Sequence, residues 1–222
     1  MHHEAGTSHA HGEAPQTAGR TIRSWARFYD AASWLLSFGR APAIKKMIVE
    51  MAAAAPGEAV LDVGCGTGSL AIALKAKGGA SGEVRGIDAS PEMIEQSRRK
   101  AAKQGAAVEF VVAPIEELPF PEARFDLVVS SFMLHHLPDG VKRKGLAEVR
   151  RVLKPGGRFL AVDFGGTSQS VIGHLLSVLG HSHGHASLAA QLPVMEEAGF
   201  TDVEAGVTKY RSVAFLRGQA PG

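Results

Sequence analysis

The sequence predicts an α/β domain, a three-layer sandwich whose helices cover a mostly parallel seven-stranded sheet ending in an antiparallel hairpin of C-terminal strands. Three observations carry this. Short apolar segments alternate with amphipathic segments of helical period. The first apolar segment runs straight into a glycine-rich turn, and the last two follow each other too closely for a crossover helix.

In chain order, residues 1–20 are rich in Gly, Ala, Thr and His without apolar periodicity, which predicts a disordered tail bearing His2, His3, His9 and His11. From Ile22, Trp25, Phe28, Tyr29, Trp34, Leu35 and Phe38 recur at helical spacing up to Gly39 and Pro42. A second helix runs from Ala43 to about Ala54 and stops before Pro56-Gly57, so residues 21–55 form cap helices on a single domain over 21–222. AVLDV (59–63), EVRGID (83–88), VEFVV (108–112), FDLVVSS (125–131) and RFLAVDF (158–164) read as strands buried on both faces, because Val, Ile and Leu are not confined to alternate positions. Between them lie the helices SLAIALKAK, PEMIEQSRRKAAKQ (91–104), with proline at its start, and DGVKRKGLAEVRRVL (139–153), closed by Lys154-Pro155-Gly156-Gly157. Residues 165–190 form a less regular segment suited to covering a substrate; then come a helix ending at Ala198-Gly199-Phe200 and the hairpin DVEAGVTKY–SVAFLRG.

Composition narrows the classes. At 222 residues with 45% hydrophobic and 21% charged content, the chain is long enough for a real core and has an ordinary globular composition. A formal net charge of +2 gives no nucleic-acid footprint, and the single cysteine, Cys65, excludes an internal disulfide. No apolar run reaches the ~20 residues that span a bilayer, and the first residues contain no secretory apolar core; a cytoplasmic protein is expected. The basic runs Arg98, Arg99, Lys100, Lys103 and Lys142, Arg143, Lys144, Arg150, Arg151, Lys154 fit solvated helix faces, with peripheral contact to an anionic membrane as the minority reading.

The strongest local signal is Val60-Leu-Asp-Val-Gly-Cys-Gly-Thr-Gly-Ser69. A buried strand ends at Gly64, Gly66 and Gly68, whose missing side chains permit a tight turn and leave room for a ligand against the backbone. The dinucleotide fingerprint G-x-G-x-x-G is absent, because its last position is Ser69. Asp62, two residues before the first glycine, suits an ammonium group and would repel pyrophosphate. Asp88, closing the second strand twenty residues after Gly68, can accept from both hydroxyls of a ribose, while Ser90-Pro91 supplies the helix cap. Together the two acids predict a ligand with a ribose and a cation but no phosphate, as in S-adenosylmethionine.

VLDVGCGTGSLA, GIDASPEMIEQSR, IEELPFPEARFDLVVSSFMLHHLPD and EVRRVLKPGGRFLAVDF, in that order, resemble the successive motifs of class I S-adenosylmethionine-dependent methyltransferases, which are Rossmann-like. Within that superfamily the chain resembles the ubiquinone/menaquinone-biosynthesis C-methyltransferase group and its small-molecule relatives, and YDAASWLLSFGR (29–40) is similar to that group's entry segment. The resemblance implies that Gly64, Cys65, Gly66, Thr67 and Gly68 line the methionine end of the cofactor, that Asp62 helps hold its amino group, and that Tyr29 approaches its carboxylate. It implies Asp88 on the ribose, Ala89 and Met93 beside the adenine, and Ser130 and Ser131 near the methionine part and the transfer site. Where the family often has Gly-Asp-Ala before Glu-x-Leu-Pro, this chain has Ala113, Pro114 and Ile115, so adenine recognition falls to apolar packing and the Ile115 N–H.

A methyl on a sulfonium needs alignment and dry surroundings more than a covalent catalyst, so no fixed catalytic residue is assigned. His135 and His136 follow the fourth strand; His135 faces the substrate either as a base or, more in keeping with a common structural role, in packing or helix capping. His174, on an apolar helix, lines a substrate pocket or is a satisfied buried histidine. His181, His183 and His185 alternate along one ribbon, yet the glycines around them and the lack of a nearby acid favour a cover loop over a metal site. The leading function is methylation of a small, hydrophobic metabolite such as a quinone precursor; the alternatives are N- or O-methylation of another metabolite or a phospholipid head group, an NAD(P)-dependent oxidoreductase, and a non-catalytic cofactor- or metal-binding protein.

Overall fold

A computed structural model describes residues 40–78, 82–165 and 188–222. In chain order the elements are α1 (Ala41–Ala52), β1 (Ala59–Val63), α2 (Ser69–Gly78), β2 (Glu83–Asp88), α3 (Pro91–Gln104), β3 (Glu109–Val112), β4 (Phe125–Ser131), a 3-10 turn (Leu134–His136), α4 (Asp139–Val152), β5 (Leu153–Phe164), a second 3-10 turn (Leu188–Gln191), α5 (Leu192–Glu197), β6 (Thr201–Val207) and β7 (Val213–Gln219). The tail, the 22–38 helix, Tyr29, His174, His181, His183 and His185 lie outside the described residues.

All seven strands join one sheet in the order β3-β2-β1-β4-β5-β7-β6. β1 to β5 pair in parallel, and β7 inserts antiparallel between β5 and β6. The chain leaves β1 for one side of the sheet and returns for β4 on the other. That reversal opens a crevice at the carboxyl ends of β1 and β4, where open α/β sheets bind ligands.

The two faces of the sheet hold separate cores. Leu61, Val63, Val128, Phe159 and Ala161 pack with Leu146 and Val149 of α4 and Met195 of α5. Val60, Leu127, Val129, Leu160 and Val162 pack with Met47 of α1, Leu70 and Leu74 of α2 and Ile94 of α3. Burial on both faces is the physical reason β1 and β4 read as nearly unbroken apolar runs. Each large side chain so buried contributes about 1.5–3 kcal/mol.

Local chemistry sets the ends. α3 starts at Pro91 behind Ser90, whose hydroxyl accepts the Met93 N–H at 3.3 Å, and closes at Gly105 with φ +63°. α1 begins two residues before the expected Ala43, because Pro42 sits in the first turn, where its missing N–H costs nothing. β5 begins at Leu153, five residues before the expected Arg158. Phe125 pairs with Leu153 and Leu127 with Arg158, so Lys154-Pro155-Gly156-Gly157 is looped out as a bulge within the sheet. Gly156 N–H is caught by the Ala220 carbonyl at 3.0 Å.

Candidate functional site

Parallel strands bring their carboxyl ends to one rim, and four acids or hydroxyls arrive there: Asp62 on β1, Asp88 on β2, Ser131 on β4 and Asp163 on β5. Asp62 is fully buried, and neither of its side-chain oxygens has a hydrogen-bond partner. Burial pushes its carboxyl up to about 7; the Ala71 amide opposes the rise without giving either oxygen a full bond, and the Asp88 charge adds to it. A protein places a carboxylate in such surroundings at a cost, and a cation that seated beside it would remove that cost.

Asp88 is already engaged. Oδ2 accepts the Gly66 N–H at 3.0 Å and Oδ1 the Ser90 N–H at 2.9 Å, so the acid ties the glycine turn to the start of α3. Burial raises its pKa, and those two backbone amides pull it back. A carboxylate has about four acceptor positions, so capacity for two ribose hydroxyls remains. Ser90 caps α3, which leaves Asp88 free of that duty.

The three glycines differ in what they do. A Cβ on Gly64 would collide with the Met133 side chain, and one on Gly68 would lie 2.7 Å from Phe110 Cζ. Only at Gly66 would a Cβ meet nothing within 4 Å, so this residue alone of the three borders open space. Cys65 and Thr67 between them are buried; Cys65 Sγ lies against Gly86, where a Cβ would come within 3.0 Å, and burial pushes its thiol up. Lys100 Nζ donates to the hydroxyls of Thr67 and Ser69, each at 2.8 Å, bracing the turn from α3.

On the adenine side, the Ala113 N–H donates to the Asp88 carbonyl at 3.0 Å, which sets Asp88-Ala89 beside Ala113-Pro114-Ile115. Met93 is buried, Ala89 and Pro114 half-buried. The Ile115 side chain packs against Gly145, where a Cβ would be only 2.8 Å away, while its N–H makes no backbone hydrogen bond among the described residues.

Strand register separates the two serines. Ser131 pairs with Val162 and lies two residues from Val129, the partner of Asp62, so it shares the Asp62 face. Ser130 pairs with Val63 and Ala161 and points to the opposite face, buried and with its hydroxyl unpartnered. His135 does not cap a helix by its side chain. Its Nδ1 lies 2.6 Å from Asp163 Oδ1, and its backbone N–H donates to Asp163 Oδ2 at 3.0 Å. Asp163 was not singled out in the sequence; the available signal was its position, since it stands one residue before the end of its strand, as Asp62 does in β1.

The basic runs are largely committed to the fold. Arg98 donates to the Phe110 carbonyl, Arg151 to Glu148 and the Leu118 and Phe120 carbonyls, Lys154 to Asp126, and Arg143 to Glu197. Among the described residues no helix is long and apolar enough to cross a membrane. Nor do three His, Cys, Asp or Glu side chains gather there as a metal site would require.

Residues 60–157 match the family described as Methyltransferase domain. The ubiquinone/menaquinone biosynthesis C-methyltransferase UbiE of Geotalea daltonii is 36% identical over 138 residues, 61% of this chain and 58% of that protein. The demethylmenaquinone methyltransferase of Thermus thermophilus is 38% identical over 136 residues, 61% of this chain and 60% of that protein. The chain therefore spans under two thirds of the length of either relative. A SAM dependent methyltransferase from Aquifex aeolicus shares the fold with a TM-score of 0.65 and 23% identity, over 79% of this chain and 89% of that one. The matched stretch runs from β1 through the glycine turn and Asp88 to the bulge of β5, the span in which the ordered motifs lie; residues 60–157 thus carry a methyltransferase domain, on the fold that the Aquifex aeolicus protein shares.

Proposed function

We propose that the chain transfers a methyl group from S-adenosylmethionine to a small, apolar, hydroxyl-bearing ring of the quinone-precursor kind. The observation that carries the reading is Asp62, a fully buried carboxylate without a partner beneath a turn that is open only at Gly66. The residues fit the cofactor in three respects. Asp62 offers a negative site for the ammonium, Asp88 retains acceptor capacity for a ribose, and the Ile115 N–H is available to adenine. Gly64, Cys65, Thr67, Gly68, Ala89, Met93 and Pro114 shape the same crevice, and Tyr29 would close its methionine end.

When bound, the cofactor supplies a sulfonium methyl that is already a strong electrophile. The chain's own task is to hold the acceptor in line and keep water out. Phe132 and Phe164 stand 4.9 Å apart at the carboxyl ends of β4 and β5, and Phe164 is 52% exposed. This aromatic rim, with Ser131 and His135 beside it, favours an apolar ring over a charged head group. His174 would join it from the cover segment.

Calorimetric titration with S-adenosylhomocysteine and, separately, NADH tests the cofactor; binding of the homocysteine compound alone is expected, and binding of NADH alone would overturn the reading. A labelled-methyl assay on quinols, phenols and amines then tests the acceptor, with label expected on a ring carbon of a quinol; label on nitrogen or oxygen would move the assignment to another metabolite. Replacing Asp88 by alanine removes the acceptor of two backbone amides, so a stability loss of about 2–3 kcal/mol is expected. Affinity for S-adenosylhomocysteine should fall more than ~10-fold as the ribose contact goes too. Near-normal affinity in Asp88→Ala would remove the ribose role.

A further inference from the structure

We propose that Asp163 positions His135 as the proton acceptor for an acidic hydroxyl on the substrate; this rests on the methyl-transfer reading above. The carboxylate is buried, 1% exposed, and serves three donors at once. Its Oδ2 takes the His135 N–H at 3.0 Å, and its Oδ1 takes the Phe164 N–H at 2.7 Å and faces the His135 Nδ1 at 2.6 Å. Two backbone amides pointing at the carboxylate make it the accepting partner, so the ring proton sits on Nδ1 and the lone pair on Nε2. Nε2 makes no hydrogen bond among the described residues and is not sealed from solvent, the side chain being 18% exposed.

The ring is fixed in its plane as well as in its tautomer. His136 lies against it with centroids 3.8 Å apart, and Phe164 meets it edge-on at 5.2 Å. Asp163 and His136 are the titratable groups that face it among the described residues. Two residues earlier, Met133 fills the space over Gly64 and pins this segment to the glycine turn. The chain reaches that position through Phe132, at φ +52°, held by its N–H to the Val162 carbonyl at 2.8 Å. A mere clasp between β4 and β5 is complete with the backbone bonds. The short Nδ1 contact adds orientation and charge to the imidazole, which a clasp does not need.

In the step assigned to the dyad, the substrate O–H bond breaks, its electron pair stays on oxygen, and the proton passes to Nε2; Asp163 balances the imidazolium charge. The oxyanion enriches the neighbouring ring carbon in electrons. Once that carbon is methylated its hydrogen leaves as a proton to water, and the oxygen recovers one from the imidazolium. The dyad ends as it began, and one proton is released overall.

Nitrogen-15 NMR of the histidine-labelled full chain tests the tautomer without any substrate. His135 should be protonated at Nδ1 and bare at Nε2 when neutral, and Asp163→Asn should weaken that preference by removing the facing charge. In the labelled-methyl assay, His135→Asn should lose about 10²–10⁴ in kcat with KM changed less than about threefold. Its residual rate should climb with pH across a range in which the wild-type profile levels off. Affinity for S-adenosylhomocysteine should stay within about twofold in both variants. A neutral wild-type ring protonated at Nε2 would overturn the proposal, as would a His135→Asn variant that keeps wild-type kcat and pH profile. Failure of the wild type to bind S-adenosylhomocysteine would instead bring down the methyl-transfer reading, so the two failures are distinct.

Discussion

Asp62→Asn is expected to yield a more heat-stable protein that no longer holds its cofactor. Burial lifts the Asp62 carboxyl from the ordinary 3.8 to about 7. Between those values the folded chain keeps a proton that the unfolded chain has lost, so stability is full below the lower value and falls as pH rises to the upper one. A shift of that size amounts to roughly 4 kcal/mol by pH 8. Asparagine has the same shape and cannot ionise, though its amide stays unpartnered and returns part of the gain. The variant should therefore melt about 5–10 °C higher at pH 8 and nearly level with the wild type at pH 4. A scanning-calorimetry series across that pH range checks both the size and the direction.

Binding should move the other way. An ammonium seated at Asp62 favours the ionised form, so ligand binding expels a proton wherever the free carboxyl is still protonated. Affinity for S-adenosylhomocysteine should rise up to about tenfold per pH unit below 7 and flatten above it. Removing one partner of a buried, charged pair costs about 2–5 kcal/mol, so Asp62→Asn should bind at least ~30-fold more weakly at pH 8, with the slope gone. A wild-type affinity flat from pH 5.5 to 8.5 would show that no cation meets this carboxylate.

Why some of this was legible in the sequence and some was not follows from range. AVLDV and FDLVVSS were readable to the residue, because a strand buried on both faces leaves a mostly apolar run between polar turns. Ser90-Pro91 marked the start of α3, since a cap and a fixed φ act within one turn. Lys154-Pro155-Gly156-Gly157 reads as the close of a helix yet lies within a strand: glycine and proline announce a bend but not whether pairing resumes on both sides of it, and Leu153 already pairs with Phe125. The His135–Asp163 contact spans 28 residues and exists only because β4 and β5 are neighbours, which no local pattern states. The opposite facing of Ser130 and Ser131 depends likewise on register against β1. The glycines looked alike in sequence because spacing records the turn and not what each Cα faces.

That difference among the glycines gives the second large effect. Gly66→Val should fold yet fail to bind S-adenosylhomocysteine, while Gly68→Ala should fail to fold well at all. Gly66 has φ +52°, so any side chain there carries a left-handed penalty of about 1–2 kcal/mol, somewhat more for a branched one. No protein atom opposes it, however, because a Cβ at this position meets nothing within 4 Å. Its bulk stands in the open space beside Asp88, and the Gly66 N–H bond to Asp88 at 3.0 Å keeps the turn from swinging aside. Affinity should fall more than ~100-fold, about 2.8 kcal/mol, with only a few degrees lost in melting temperature. At Gly68 the φ of +76° imposes a similar penalty, but a Cβ would also sit 2.7 Å from Phe110 Cζ and 2.8 Å from Ser97 Cβ. Phe110 on β3 and Ser97 on α3 are themselves buried, so relief requires moving the element that carries one of them, at about 1–3 kcal/mol of overpacking on top of the backbone cost. Even the smallest side chain at Gly68 should thus cost more melting temperature than the larger valine at Gly66, and the reverse order should hold for binding in whatever fraction stays folded. Were both variants to lose stability equally and affinity equally, the space over Gly66 would be a packing feature like that at Gly68, and the cofactor would have to be sought elsewhere along the rim.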